Sequence, residues 1–510
     1  MTRSQVRLLV LAPKMESLTK NYKGFFKGKK ITILGLGLLG RGIGDVIFLA
    51  KEGADLVVTD LKTKEQLASS LEKIKKEVGP DLYKKINFVL GEHRLQDFQN
   101  RDFILKAAGV PLNSPFVAEA RKKNISIKMD ASWFVELAPE DVKIIGVTGT
   151  RGKSTVTHLI HEIMISTKIN GGLPSAKSVV CCNNVWLGGN VRGLATLPLL
   201  KKVKAGDIVV MELDSWQLQG FGDSKISPNI SVFTNLMVDH QNYYGSMGKY
   251  FSDKANIFLN QKEGDSLICG KEVLNLIRKK SKKFAGRAIV PDTGVVPKSW
   301  KVKLLGEHNR LNIAYAVTVA RILDIPEKVI KRAVENYTGV PGRLEFVGEV
   351  RGVKYYNDTT ATTPDGVMAA LKALGDFPEG NPLKASQGLP SKKPRIILLG
   401  GGRDKELDYK KYAPVVKKSV KALALFAGTG SDKIIKSLGN TKLPARIGLR
   451  GGPVKVFDSM PSAFAWANGQ AKKGDIVLLS PGAASFGVFK NEFDRGDQFV
   501  AQVKKLKKNE

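Results

Sequence analysis

Ile144-Ile145-Gly146-Val147-Thr148-Gly149-Thr150-Arg151-Gly152-Lys153-Ser154-Thr155 is an apolar run that breaks into a glycine-spaced loop ending in lysine and two hydroxyl residues. A short apolar run bounded by turn residues reads as a buried parallel strand, and the pattern resuming at Val156 reads as a helix. Strand, tight loop and helix in that order make a phosphate loop. Its backbone N–H groups can wrap triphosphate oxygens, Lys153 can neutralise the β and γ phosphates, and the Ser154 hydroxyl can reach Mg²⁺. Measured from Gly146, the gap to Gly152-Lys153 is one residue longer than the standard spacing, so the working loop begins at Gly149. Gly149, Thr150, Arg151, Gly152, Lys153, Ser154 and Thr155 are therefore candidate ATP-binding residues, with Lys153 also catalytic.

Such a loop needs metal ligands close by. Glu212 closes the strand candidate Asp207 to Met211, and Asp239-His240 follows the strand candidate Asn229 to Phe233. Both lie at C-terminal strand ends, where open α/β sheets bind ligands. Glu212 and His240 are the candidate partners of Ser154 on a magnesium ion.

Moving outward, the strand–helix alternation repeats on both sides. Lys30 to Leu34 is an apolar strand running into Gly35-Leu36-Gly37-Leu38-Leu39-Gly40, and a second strand from Asp55 ends at Thr59-Asp60. Three glycines at this spacing, with Asp60 at 20 residues past Gly40, match a dinucleotide fingerprint. The turn offers glycine backbone and a helix N-terminus to any diphosphate or nucleotide, so NAD is one reading among several. A third block restarts at Pro394 to Leu399 and continues through Ala422 to Phe426 and Asp475 to Leu479. The expected fold is α/β with three domains: an N-terminal Rossmann-like nucleotide domain, a central P-loop-type ATPase domain and a C-terminal Rossmann-like domain. The expected limits are a basic extension at 1–27, then 28–140, 141–342 and 343–510. Residues 378 to 394, rich in Pro, Gly, Ser and Lys, read as a surface insertion.

The 510-residue length agrees with roughly three domains of about 170 residues each. Net charge is +33, which raises nucleic acid, an anionic membrane or a polyanionic substrate as partners. The lysines are spread along the chain without interleaved stacking aromatics, so a solvated cationic surface is the preferred reading and no nucleic-acid partner is expected. Three cysteines, two of them adjacent at Cys181-Cys182, give neither a disulfide framework nor a metal-binding spacing and fit a reducing cytoplasm. No apolar run reaches the length of a membrane span, and the Val6 to Ala12 run is too short for a signal peptide.

Taken together, Thr148 to Thr155, Gly188-Gly189-Asn190, Glu212 to Leu218, Asn235 with Asp239-His240, and Gly306-Glu307-His308-Asn309 with Asn312 resemble the Mur ligases. The likeness runs from about residue 30 to residue 503. It is nearest to the branch that joins D-glutamate to UDP-N-acetylmuramoyl-L-alanine, because the chain enters directly on the Gly35 fingerprint and carries Tyr356-Asn357-Asp358-Thr359. Leu479 to Ser485, leading to Phe489-Lys490-Asn491 and Arg495-Gly496, points the same way.

The resemblance implies an ATP- and Mg²⁺-dependent amide-bond ligase of peptidoglycan precursor synthesis, working as a cytoplasmic monomer on small-molecule substrates. It puts Gly37, Leu38, Leu39, Asp60, Leu61, Lys62, Asn190 and Gln217 on the UDP-linked substrate. It puts Asn309, Asn312, Arg343 and Asp358 near ATP, and Thr362, Lys405, Ser485 and Phe486 around the amino acid. Lys254 matches a lysine that becomes carbamylated in the family, which would make it an anionic metal ligand and a catalytic group alongside Lys153 and His240. Two positions depart from the pattern: Thr360 stands where lysine is common, and Glu492-Phe493 reverses the usual order. Another Mur or folylpolyglutamate-type ligase with a different amino acid therefore stays open, as do a nucleic-acid-stimulated P-loop ATPase and a non-catalytic homologue.

Overall fold

The computed structural model describes residues 22–38, 40–111, 113–169, 184–239, 241–280, 284–375, 395–439, 445–446 and 453–508. Leu39, His240, Cys181-Cys182, the Val6 to Ala12 run and the stretch 378 to 394 lie outside them.

The described strands form three sheets. The first contains β1 (Lys30–Leu34), β2 (Asp55–Asp60), β3 (Asn87–Leu90), β4 (Phe103–Lys106) and β5 (Ser126–Lys128). Its order β3-β2-β1-β4-β5 is parallel throughout and reverses at β1, on the strand that feeds the glycine turn. The second contains β6 (Lys143–Thr148), β7 (Val185–Gly189), β8 (Ile208–Glu212), β9 (Ile230–Phe233), β10 (Ser266–Cys269) and β11 (Arg287–Ile289). It too is parallel, with β6 between β8 and β9, so that Val147 pairs with Glu212 and Thr148 with Phe233. This register makes the chain leaving β6 emerge between the C-terminal ends of both neighbours, which is where such sheets bind ligands.

The third sheet contains β12 (Glu345–Val350), β13 (Val353–Asn357), β14 (Ile396–Gly401), β15 (Val420–Phe426), β16 (Ala445–Arg446), β17 (Pro453–Phe457) and β18 (Ile476–Leu479). Its order is β12-β13-β18-β14-β15-β17-β16, parallel in the centre and closed at both edges by antiparallel pairs. Antiparallel edges on a parallel sheet are common in large α/β folds.

By packing, the chain forms two compact units, 1–291 with 318–325, and 292–317 with 326–510. Residues 292–317 and 326–342, expected in the central block, fall in the second unit. In the first unit one apolar core runs from Phe26 and Phe48 through Trp133 to Phe221 and Phe251. In the second unit the strands bury both faces. Leu398, Leu423, Leu425 and Leu478 point to one layer; Ile397, Leu399, Ala424 and Leu479 point to the other. That alternation makes the central strands read as unbroken apolar runs.

Candidate active site

The phosphate loop is built against the end of β9. Thr150 N–H donates to the Asn235 carbonyl at 2.9 Å, and Arg151 N–H to the Asn235 side chain at 2.9 Å. The Thr234 hydroxyl donates to the Arg151 carbonyl at 2.6 Å, and Met237 N–H to the Thr150 hydroxyl at 2.9 Å. The closeness explains the first glycine. A Cβ on Gly149 would stand 1.9 Å from Thr234 Oγ1, and its φ of +144° disfavours any other residue. The loop runs into the helix Lys153–Ile169, whose N-terminal end adds unsatisfied N–H groups to the site.

Three chemical groups converge on this loop. The buried Ser154 hydroxyl donates to the buried Glu212 carboxylate at 2.5 Å. Lys153 Nζ folds back on the Gly149 and Thr150 carbonyls at 2.9 and 3.2 Å. Lys254, on the helix Met247–Ala255, donates to the same Gly149 carbonyl at 3.0 Å and to the Thr148 hydroxyl at 3.3 Å. Its Nζ lies 4.8 Å from the centre of the Tyr250 ring. Burial pushes the Lys254 amine well below its ordinary range, and the Lys153 charge pushes the same way against Asp214, Asp239 and Glu212. Arg151 faces Asp239 at 3.8 Å. The hydroxyl of Ser154, in the first turn of a helix, and the carboxylate of Glu212, at a strand end, are hard oxygen donors, a set that fits magnesium. Glu212 is 3% exposed; a carboxylate so buried, with one hydroxyl donating to it, has oxygen lone pairs to give to a cation.

The glycine turn of the first sheet holds Asp60 differently from the dinucleotide pattern. The buried Asp60 carboxylate accepts from Gly37 N–H and from Lys62 N–H, both at 2.9 Å, so it braces the turn. Leu38 and Leu61 flank it with apolar surface, 45% and 67% exposed. Opposite the turn, Lys106 ends β4 and donates to the Val110 carbonyl at 2.9 Å. Burial pulls its amine down to about 8, against the field of Asp214, Asp223 and Asp253.

Asn190 and Gln217 lie together, on the central sheet's side. Asn190 N–H donates to the Glu212 carbonyl at 2.6 Å, and a Cβ on Gly189 would sit 2.1 Å from that same oxygen. With its amide oriented to suit its neighbours, Gln217 donates to the Glu212 carbonyl at 3.2 Å and accepts from Arg41 Nη1 at 3.3 Å. Arg41 also donates to Asn190 Oδ1. Neither Arg41 nor Lys106 stands out in the sequence, and nothing in their spacing flags them.

In the second unit, Asp358 accepts from Leu344 N–H at 3.0 Å and from the Ser480 hydroxyl at 2.8 Å. Burial pushes its carboxyl up to about 7 although both hydrogen bonds and the Arg343 charge oppose the shift. Asn312 donates to Asn309 at 3.0 Å, and both are buried. Lys405 Nζ donates to the Thr362 hydroxyl at 3.0 Å. Ser485 is buried, whereas its neighbour Phe486 is 55% exposed. Asp358, Lys405 and Ser485 thus follow the C-terminal ends of β13, β14 and β18, while Asn309 and Asn312 pair on the helix Glu307–Ile322.

Family models match the chain in three stretches: a Mur ligase MurD-like N-terminal domain over 29–128, the Mur ligase middle domain over 147–320, and the Mur ligase glutamate ligase domain over 342–482. The UDP-N-acetylmuramoylalanine–D-glutamate ligase of Roseiflexus sp. (strain RS-1) is 33% identical over 92% of this chain and 97% of its own. The ligase of the same name from Borreliella burgdorferi (strain ZS7) is 32% identical over 94% of this chain and 98% of its own. Among solved structures, the UDP-N-acetylmuramate-alanine ligase MurC from Thermotoga maritima aligns with a TM-score of 0.56 at 18% identity, covering 94% of this chain and 99% of that one. MurF ligase from the same organism in complex with ADP gives 0.53 at 15% identity, covering 95% and 96%. The structural likenesses carry the three-domain α/β fold, and the sequence likenesses over nearly the whole length carry the kinship: this chain belongs to the Mur ligases.

Proposed function

We propose that this enzyme joins D-glutamate to UDP-N-acetylmuramoyl-L-alanine, using ATP, in the synthesis of a peptidoglycan precursor. The choice of amino acid and acceptor rests on one observation, the near full-length similarity to relatives that bear that name. In this reading the L-alanine carboxylate attacks the γ-phosphate of ATP, giving an acyl phosphate and ADP. The amine of D-glutamate then attacks the acyl carbon, phosphate leaves, and the nitrogen gives up a proton.

The chain's own groups fit these steps. Backbone N–H groups from Gly149 to Thr155 would cradle the phosphates, and Lys153, now turned onto two loop carbonyls, would turn to them. Ser154 and Glu212 would hold magnesium, with His240 and a carbamylated Lys254 as further ligands. Bound there, the ion would neutralise phosphate charge during transfer. The low amine basicity of Lys254 supports carbamylation, because the neutral amine is the form that adds CO₂, releasing a proton. Leu38 and Leu61, with Leu39, would flank the uracil over the turn that Asp60 braces. Lys405, Thr362, Ser485 and Phe486 would receive D-glutamate, whose two carboxylates suit lysine and hydroxyl donors. Asn309, Asn312, Arg343 and Asp358 would meet ATP. The proposal extends to a cytoplasmic monomer; among the described residues no helix is long and apolar enough to cross a membrane.

Phosphate release across a matrix of amino acids and UDP-linked acceptors tests the reading. Turnover is expected with UDP-N-acetylmuramoyl-L-alanine plus D-glutamate. Equal turnover with L-lysine, with a folate acceptor, or with nucleic acid in place of both substrates would overturn it.

A further inference from the structure

Arg41 is the first residue of the helix Arg41–Lys51, directly after Gly40, whose φ is +94°. Its side chain therefore starts at the mouth of the glycine turn, where helix-terminal N–H groups favour an anion. From there the guanidinium reaches the central sheet and donates to the side chains of Asn190 and Gln217. Both partners are fixed. Asn190 is pinned through its own N–H to the Glu212 carbonyl, and Gln217 N–H is held by the Asp214 carboxylate at 2.8 Å.

Both partners are also neutral. Among the described residues no carboxylate lies within 4.0 Å of the Arg41 guanidinium, so its charge is uncompensated by an ion pair. The acid nearest in sequence is Asp45, one helical turn on. It is buried, one of its oxygens is unpartnered, and burial together with Asp130 pushes its carboxyl well above the usual range, against the pull of the Arg41 charge. A half-buried arginine held by two amides keeps three of its five N–H donors for something else. A phosphate oxygen pair fits that fork, and a charge held this way selects for anionic ligands.

We propose that Arg41 is a substrate-binding residue that pairs with the diphosphate of the UDP-linked substrate, oriented for it by Asn190 and Gln217. The inference rests on the acceptor proposed above but not on the amino acid added to it. It is tested on the full chain by measuring affinity for uridine, UDP and UDP-N-acetylmuramoyl-L-alanine, using ligand-observed NMR for the weak nucleoside and calorimetry for the others. Arg41→Gln keeps an amide that can bond to Asn190 and removes the charge; Arg41→Met removes both. Each variant is expected to lose about 10- to 100-fold in affinity for UDP and for the full substrate, with uridine affinity unchanged. The KM for the acceptor should rise while kcat stays within a few-fold. Equal losses for uridine and UDP would mean a damaged turn, and unchanged UDP affinity would mean no diphosphate contact; either overturns the inference. Loss for the full substrate with UDP unaffected would place the guanidinium at the muramoyl-peptide end and also overturn it. A wild-type protein with no affinity for UDP or the full substrate would instead sink the acceptor reading.

Discussion

The Ser154 hydroxyl meets the Glu212 carboxylate at 2.5 Å across 58 residues of sequence, because β6 and β8 pair with Val147 opposite Glu212. Strand register, with the loop that follows β6, brings a hydroxyl in the first turn of a helix and a strand-end carboxylate together in a buried place. Removing either oxygen should leave the sheet intact and weaken metal binding. We expect Ser154→Ala and Glu212→Gln to lower kcat by on the order of 100-fold or more, and to raise the magnesium concentration needed for half-maximal rate. A Glu212→Gln enzyme with wild-type rate and wild-type magnesium dependence would remove Glu212 from the metal site.

Gly149→Ala puts a methyl group 1.9 Å from Thr234 Oγ1 at a φ of +144°. The loop cannot shift freely, since hydrogen bonds from Thr150 and Arg151 hold it to Asn235, the residue next to Thr234. The variant should lose more than about tenfold in affinity for a non-hydrolysable ATP analogue and about 1–3 kcal/mol in stability. Pairing it with Thr234→Ala should recover part of the loss, because the backbone strain remains. Full recovery in the double variant would show that the side-chain clash was the whole effect.

Lys254 sits in a cage of Thr148, Gly149 and the Tyr250 ring, with its amine driven toward the neutral form by burial. An amine in that state reacts with CO₂ reversibly. Protein stripped of bicarbonate should lose most of its activity and regain it on adding bicarbonate. Labelled bicarbonate should give a carbamate carbon resonance in the wild type that Lys254→Arg lacks. Retention of that resonance in the arginine variant would assign it to another amine.

Asp358 gives a pH signature in stability. Its carboxyl titrates at about 7 in the folded protein, above its ordinary 3.8 in the unfolded chain. Between those values the folded state holds a proton that the unfolded state has lost, so protons favour folding there. The contribution is fully present below the unfolded value and is lost as pH rises through about 7. Denaturant unfolding from acid to neutral pH should therefore show a falling component in the wild type that Asp358→Asn lacks. Identical slopes in the two proteins would contradict the assignment.

The parts of this molecule that were legible in its sequence are those where one stretch carries its own meaning. β1, β6, β14 and β18 are apolar runs buried on both faces, so hydrophobicity alone marks them, to within a residue or two. The hairpin of β12 and β13 was missed because its strands alternate charged and apolar residues at a sheet edge, and the register shifts between Phe346 and Gly348. The bracing of Gly37 N–H by Asp60 was not legible, since it is visible only once the turn is folded. Arg41 was illegible for a different reason. In a chain with 81 lysines and arginines, one more cation says nothing until the fold brings Asn190, 149 residues away, against it.

Among the described residues Arg495 is the largest cationic side chain buried without exposure, and its bonds tie together two segments proposed to meet ligands. Its guanidinium donates to the Thr359 carbonyl at 2.9 Å, to the Thr359 hydroxyl at 3.2 Å and to the Ala483 carbonyl at 3.4 Å. Thr359 follows Asp358, and Ala483 lies two residues before Ser485. The Thr359 hydroxyl in turn donates to the Glu492 carbonyl at 2.6 Å, and a Cβ on Gly496 would press on Thr359 Cγ2 at 2.7 Å. Arg495 thus fixes how the two segments face each other, and burial pulls its guanidinium down to about 9 without freeing it from those acceptors. Arg495→Lys keeps a charge but cannot fork to both segments. It should destabilise by about 2–4 kcal/mol and raise the KM for D-glutamate roughly tenfold, with the KM for the UDP-linked acceptor nearly unchanged. Equal rises in both constants would mean that Arg495 supports the fold at large and has no particular hold on the amino-acid side.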